Sequence, residues 1–113
     1  MASRFHIRLP DPGRARAAGT FAFRGNSAEA VARELEDALR SDVLFERWRA
    51  TQDDPDAVDP GLGATDPGAT VHGEQHDLHI DLKVDTSLSG QLLRERMRLL
   101  AGSAWELRDV SGT

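Results

Sequence analysis

Two stretches near the N-terminus alternate apolar and polar side chains with a period of two, which is the pattern of a strand that buries one face. The first covers residues 5–9 and ends at Pro10, because proline has no N–H to donate to a neighbouring strand. The second covers residues 20–24, and an Asp-Pro-Gly turn signal at 11–13 lies between the two. We therefore predict that these two strands form an antiparallel hairpin.

The clearest alternation in the chain comes later, over residues 78–85, and it predicts a third strand. The apolar positions of this strand are Leu78, Ile80, Leu82 and Val84. A last strand is predicted over residues 103–110, where Trp105 and Leu107 fall on the same face.

A helical repeat of apolar residues begins after Asn26 and Glu29, which match the capping-box pattern of a helix start. The apolar stripe of this helix is Val31, Leu35, Ala38 and Leu39. Ser41 and Asp42 can cap a further segment, so we predict a break there and a short helix that ends near Ala50.

Another helix is predicted to start at Ser87 or Ser89 and to end before Gly102, a residue type common at helix C-terminal caps. Its apolar side consists of Leu92, Leu93, Met97 and Leu100. Its outer positions are predicted to be a solvated face, and they carry Arg94, Glu95, Arg96 and Arg98.

The predicted order of elements is β-β-α-(α)-β-α-β. This order predicts an α+β protein built as a two-layer sandwich, with a mixed sheet of about four strands and helices on one face. A helix that joins the last two strands makes them parallel if they lie in one sheet. The polar alternate positions of the strands leave the other face of the sheet partly solvated.

An acidic segment divides the chain, since residues 53–81 contain eight acids and no Lys or Arg. Its first part is rich in Pro, Gly and Asp, and it buries too little area to offset the entropy of ordering it. We predict one domain over residues 1–113, with a long flexible acidic Pro/Gly loop at 53–75. The pattern leaves open whether this loop is functional or only a linker.

Composition narrows the classes of site and partner. The chain has no cysteine, which excludes disulfides, thiolate metal sites and Cys nucleophiles. It has no signal-peptide pattern and no apolar run of membrane-spanning length, so we expect a cytoplasmic protein that does not enter a membrane. The net charge of −5 disfavours nucleic acid as a partner. Lys83 is the only Lys beside many Arg, a bias typical of GC-rich bacterial genomes.

Arg14, Arg16 and Arg24 lie near the predicted hairpin and are the candidate binding residues. Guanidinium groups bind carboxylates and phosphates through paired hydrogen bonds, so the three point to an anionic ligand. The alternative is that they balance the acids of residues 53–66 in the same molecule.

His72, His76 and His79 lie among three acidic residues, a mixture of side chains that first-row metals use as ligands. We nevertheless predict no metal site, because His76 and His79 point to opposite faces if this segment is extended. His79 and Asp81 could exchange a proton with a substrate, but any solvated strand face carries such polar alternation.

No glycine-rich phosphate loop, nucleophile motif or cofactor signature occurs in the sequence, so it indicates no catalytic residue and no cofactor. We expect a non-catalytic protein-interaction or regulatory domain. Its partner would be a protein, including a second copy that forms a homodimer through an uncovered sheet edge. The alternative is a protein or enzyme that binds a small anionic ligand on the open sheet face, with the 53–75 loop as a lid.

Overall fold

The computed structural model describes residues 2–112, which form four β-strands and four α-helices. The strands are β1 (Ser3–Leu9), β2 (Thr70–His76), β3 (His79–Thr86) and β4 (Glu106–Gly112). The helices are α1 (Pro12–Arg16), α2 (Ala28–Arg40), α3 (Val43–Arg49) and α4 (Gly90–Ala101). Two short 3-10 helices, Pro55–Ala57 and Pro60–Gly63, lie between α3 and β2.

The strands form one sheet in the order β2-β3-β1-β4, and every neighbouring pair is antiparallel. The α+β sandwich is confirmed, whereas the predicted mixed sheet is wrong. β3 and β4 do point in the same direction, as expected for strands joined by α4, but β1 lies between them. With its two long helices the chain has the β-α-β-β-α-β order of ferredoxin-like folds, an architecture that does not by itself assign a function.

One face of the sheet is buried against α2 and α4, and the other face is polar. Because alternate residues of a strand point to opposite faces, Phe5, Ile7 and Leu9 of β1 share the buried face. Each of the three is at most 5% exposed. The same face of β3 contributes Ile80, Leu82 and Val84 to one core cluster with α2 and α4.

The predicted strand over residues 20–24 is wrong, and so is its hairpin with β1. Phe23 donates its backbone N–H to the carbonyl of Leu100 near the end of α4 (2.8 Å), and its side chain is buried in the core. This hydrogen bond ties the segment to a helix end, so the segment is not free to join the sheet. Earlier in the predicted connection, Pro12–Arg16 form α1, and Asp11 caps this helix by accepting from the Arg14 N–H.

The hairpin of this sheet is formed by β2 and β3. β2 lies at the end of the 53–75 segment, which the sequence predicts to be a loop. The turn residues Asp77 and Leu78 join it to β3, and Asp77 has φ of +51°, a conformation that Asp adopts more readily than most residues. Leu78 is 85% exposed, so it does not belong to the apolar face. At Gly73 a Cβ would lie 2.4 Å from the carbonyl oxygen of Ala28, so the approach of α2 to β2 requires glycine.

Most predicted helix ends are confirmed. The break near Ser41 is observed, since this residue caps the C-terminus of α2 and α3 follows directly. Ser89 caps the N-terminus of α4, and Gly102 follows that helix with φ of +59°. The N-terminal cap of α2 is Ser27 instead of Asn26, one residue later than predicted.

β4 begins at Glu106, later than the predicted residue 103. The residues before it fold back on the end of α4. Ala104 donates its N–H to the carbonyl of Ala101 (2.9 Å), and Trp105 donates its indole N–H to the carbonyl of Gly102 (3.1 Å). These bonds satisfy carbonyl groups at a helix end, so the chain reaches the sheet only afterwards.

Arg96 is buried, so the predicted solvated position on the last helix is wrong. The residue is 1% exposed. Its guanidinium donates to the carbonyls of Ala38 (3.2 Å), Leu62 (2.6 Å) and Ala64 (2.6 Å), and it lies 5.9 Å from the ring centre of Phe45. Burial lowers the pKa of this guanidinium, and the three carbonyls supply the hydrogen bonds that a buried charge requires. Arg96 thus joins the acidic segment to α2 and α4.

Asp66 fastens the acidic segment at a second point. Its Oδ2 accepts from the Thr86 hydroxyl and the Ser87 N–H, both at 2.8 Å, and its Oδ1 accepts from the Gly68 N–H at 3.0 Å. The bonds from Ser87 and then Thr86 hold the pKa of Asp66 below its ordinary value. Residues 53–75 thus contain two 3-10 helices and the start of β2, while the flexibility of this segment stays a prediction.

We expect Arg96→Met to lower the free energy of unfolding by about 2–3 kcal/mol, because methionine keeps apolar bulk but leaves three carbonyls without donors. Urea denaturation measures this difference. Arg94→Met, at an exposed position of the same helix, is the control and should change stability by less than about 0.5 kcal/mol. Equal stability of the two variants would contradict the role given to Arg96.

We expect Asp66→Asn to destabilise the fold by about 1–2 kcal/mol at neutral pH, because one amide oxygen cannot accept all three hydrogen bonds. The pKa of Asp66 is lower in the folded state, so its contribution is present above its unfolded pKa and is lost as the pH falls through its folded pKa. Denaturation of both proteins at several pH values should show the difference shrinking in acid. A difference independent of pH would contradict this assignment.

Candidate functional site

The helices leave one face of the sheet uncovered, and this face is polar. Since Phe5, Ile7 and Leu9 of β1 lie in the core, Arg4, His6 and Arg8 point to the opposite side. The same alternation places His79, Asp81, Lys83 and Asp85 of β3 there. Strand pairing then arranges these side chains in rows across the sheet.

The middle row of the polar face, as we call it, crosses all four strands. Lys83 of β3 pairs in register with His72 of β2 on one side and with His6 of β1 on the other, and His6 pairs with Asp109 of β4. An irregularity in the pairing of β1 with β4 follows His6 and leaves Arg108 beside the row.

The middle row lies in a hollow of about 390 Å³. The other charged residues that line it are Arg8, Glu74, Asp81 and Arg108. With Lys83 and Asp109 the lining therefore holds three cationic side chains and three carboxylates, together with the two imidazoles of the row. The lining therefore carries no excess of either sign when the histidines are neutral.

Ion pairs occupy the rows on both sides of the middle row. Arg8 donates through Nε to Asp81 Oδ1 at 2.9 Å and through Nη2 to Oδ2 at 3.5 Å. Arg4 makes the same two contacts with Asp85, at 2.8 and 3.5 Å. The bond from Arg8, followed by its charge and by His79, holds the pKa of Asp81 below its ordinary value, against the opposing effect of burial.

His76 and His79 face each other at the hairpin end of the polar face, so the prediction that they point to opposite faces is wrong. The turn at Asp77 and Leu78 makes them cross-strand partners, and their rings stack with centres 5.5 Å apart. His76 Nε2 lies 3.1 Å from a Glu74 oxygen, and His79 Nε2 lies 3.4 Å from an Asp81 oxygen. Within residues 2–112, no group of three or more such side chains is arranged to hold a metal ion.

Three consecutive side chains of the middle row differ from their neighbours in having no partner. In the described part of the chain, Lys83, His6 and Asp109 make no hydrogen bond or ion pair through their side chains. By contrast, Glu74 lies 3.5 Å from His72 and Arg108 lies 3.4 Å from Glu106. An ammonium, an imidazole and a carboxylate thus stand available in one line, a set that can bind charged groups and exchange a proton.

The three arginines predicted to bind an anion lie on α1 and in the segment that follows it. Arg14 is exposed on α1 and lines a hollow beside Gly102, whereas Arg24 lines a different hollow beside Glu34. Arg16 donates to the carbonyl of Gly25 at 3.4 Å. Their anion-binding role stays a prediction.

Residues 53–69, the part of the acidic loop before β2, contact the helix side of the molecule. Three arginine side chains bind their backbone carbonyls. Arg49 donates to Pro55 (2.9 Å), Arg96 donates to Leu62 (2.6 Å), and Arg40 donates to Ala69 (2.7 Å). These anchors belong to α3, α4 and α2. Because the helices and the polar face lie on opposite sides of the sheet, this position does not support the lid role.

His6, Lys83 and Asp109 were not among the predicted binding residues. Each of them is a polar position in an alternating strand, and this pattern alone indicates solvated surface. Their shared property comes from strand order, since β1 lies between β3 and β4. The usable signal in the sequence was Lys83, the only Lys of the chain.

Comparison with protein-family models, with curated proteins and with solved structures gives no match for this chain. Among the described residues, no helix has both the length and the apolar character needed to cross a membrane.

We expect Arg8→Gln to raise the pKa of Asp81 toward its ordinary value, because the Arg8 hydrogen bond is the largest cause of the lowered pKa. The chemical shift of the Asp81 carboxyl carbon, followed against pH by NMR, measures the change. Arg4→Gln is the matched control, since Arg4 makes the same contacts with Asp85 on the other side of the middle row. An unchanged Asp81 titration in Arg8→Gln would contradict this assignment.

Proposed function

We propose that this protein is a non-catalytic binding domain that holds the acidic group of a small ligand on the polar face of its sheet. The observation that carries the proposal is Lys83, whose ammonium group stands in the hollow without a partner among residues 2–112. Next to it, His6 presents an imidazole that is also unpartnered and that adds a second hydrogen-bond donor or charge. An acidic group of a ligand would find both donors in one row.

The size and surroundings of the hollow support a small ligand. A volume of about 390 Å³ lies in the range of small-molecule sites. The ion pairs of Arg8 with Asp81 and Arg4 with Asp85 flank the row and hold their own side chains in place. A ligand bound at Lys83 would therefore meet oriented neighbours, and less side-chain entropy would be lost on binding.

The described strands place no Phe, Tyr or Trp ring on the polar face, which argues against a nucleic-acid partner there. Single-stranded nucleic acids are bound by stacking bases on exposed aromatic rings. Phe5 is the Phe, Tyr or Trp that the described strands contain, and its side chain lies on the buried face. Trp105 lies just before β4 begins. The polar face offers imidazoles and charges instead, which suits a small polar ligand.

The edges of the sheet argue against the homodimer expected from an uncovered strand. At the β2 edge, Glu36 of α2 accepts a hydrogen bond from the Val71 N–H at 3.0 Å, so a helix side chain already uses this edge group. The β4 edge carries the pairing irregularity and the charged Arg108 and Asp109. Bulges and charges of this kind discourage edge pairing.

A protein-interaction surface receives less support than the hollow does. The large apolar side chains exposed in residues 2–112 are Val43, Leu78 and Val110. They belong to α3, the β2–β3 turn and β4, so three separate elements carry them. A protein interface usually has a contiguous apolar centre, which these positions do not indicate.

We expect glutarate or inorganic phosphate, titrated into ¹⁵N-labelled protein, to shift amide signals of β1, β3 and β4 around Lys83. In Lys83→Gln the affinity should fall by about threefold or more, because one exposed charge pair is lost. The control is the Arg14→Gln and Arg24→Gln double variant, which should bind as the wild type does. Shifts centred on Arg14 and Arg24 that survive Lys83→Gln would contradict the proposal and favour the arginine site.

A further inference from the structure

The three unpartnered side chains of the middle row are ordered so that the charge changes sign from one end to the other. Lys83 and Asp109 stand on β3 and β4, the strands on either side of β1, and His6 lies between them. Neighbouring strands are about 4.8 Å apart, so the two opposite charges belong to backbone positions about 10 Å apart. Positive charge therefore stands at one end of the row and negative charge at the other.

This arrangement does not suit a ligand that carries only acidic groups. The acid that binds Lys83 would be followed across the row by the unpaired carboxylate of Asp109, which repels a second acid. The rest of the lining does not offset that repulsion, because its cations and carboxylates are equal in number. A ligand with a cationic group at its far end would meet an attractive partner at both ends.

We infer that the ligand is a zwitterion, with its acid group on Lys83, its amine on Asp109 and a short chain across His6. This inference rests on the proposed function and specifies its ligand class. The imidazole of His6 accepts or donates a hydrogen bond to polar groups along the chain. Amino acids whose amine and acid lie at opposite ends of an aliphatic chain are the class that fits this spacing.

Three probes of five carbons each test the inference: δ-aminovalerate, which has one amine and one acid, glutarate, which has two acids, and cadaverine, which has two amines. Each is titrated into ¹⁵N-labelled wild-type protein, and the shifts of β1, β3 and β4 report binding. We expect aminovalerate to bind about threefold or more tighter than glutarate, because it forms both exposed charge pairs. Cadaverine should bind less tightly than aminovalerate for the same reason.

Charge reversal at the two ends provides a second readout. Asp109→Lys should make glutarate the preferred probe, and Lys83→Glu should make cadaverine preferred. The double variant restores one charge of each sign in reversed order, so it should again prefer aminovalerate. Both residues are exposed, so the fold should tolerate these changes, and the unshifted core signals of each spectrum verify this.

The outcomes separate this inference from the function it rests on. Glutarate that binds the wild type as tightly as aminovalerate, with no change of preference in Asp109→Lys, overturns the zwitterion and leaves an anion site at Lys83. If none of the three probes nor phosphate perturbs the polar face, the proposed function fails together with the inference. Preferences that follow the charge reversals support both.

Discussion

The register of β1 is the constraint on which the rest of this structure depends. β1 pairs with β3 along its full length and with β4 on its other side, so it fixes both the core and the polar face. Phe5, Ile7 and Leu9 fill the core, and the residues between them point outward. A shift of one residue would exchange the two sets, placing Arg4, His6 and Arg8 against the helices. The cost of burying those charges makes the observed register the stable one.

Arg96 explains how an acidic segment rich in Pro and Gly can pack against a small domain. The segment offers few side chains to bury, so hydrophobic burial alone cannot order it. Its backbone carbonyls at Leu62 and Ala64 instead accept from a guanidinium that α4 holds in the interior. The carbonyl of Ala38, near the C-terminus of α2, adds the negative end of a helix dipole. The buried guanidinium of Arg96 thereby attaches the acidic segment to the helices through hydrogen bonds.

Much of the fold could be predicted from local patterns, and the failures share a physical origin. The strand around Ile7, the strand around Leu82 and the helix break at Ser41 all depend on neighbouring residues, and they were found. Phe23 alternates like a strand residue, yet a distant carbonyl binds its N–H. β2 carries few apolar side chains because its seven residues lie at an edge, mostly exposed, so periodicity could not reveal it. The candidate site was also hidden, since only strand order brings His6 and Asp109 together.

The polar face would exist in any single sheet covered by helices on one side, so polarity alone does not make it a site. What separates the middle row from ordinary solvated surface is the contrast with the rows beside it. There, Arg4 and Arg8 are paired with carboxylates directly across the strand, which is how a protein neutralises an exposed sheet at little cost. In the middle row, Lys83 and Asp109 have the same opposite charges but stand two strands apart with His6 between them. Charges that the neighbouring rows neutralise internally are unpaired here among the described residues, and this contrast is the basis of the proposed ligand site.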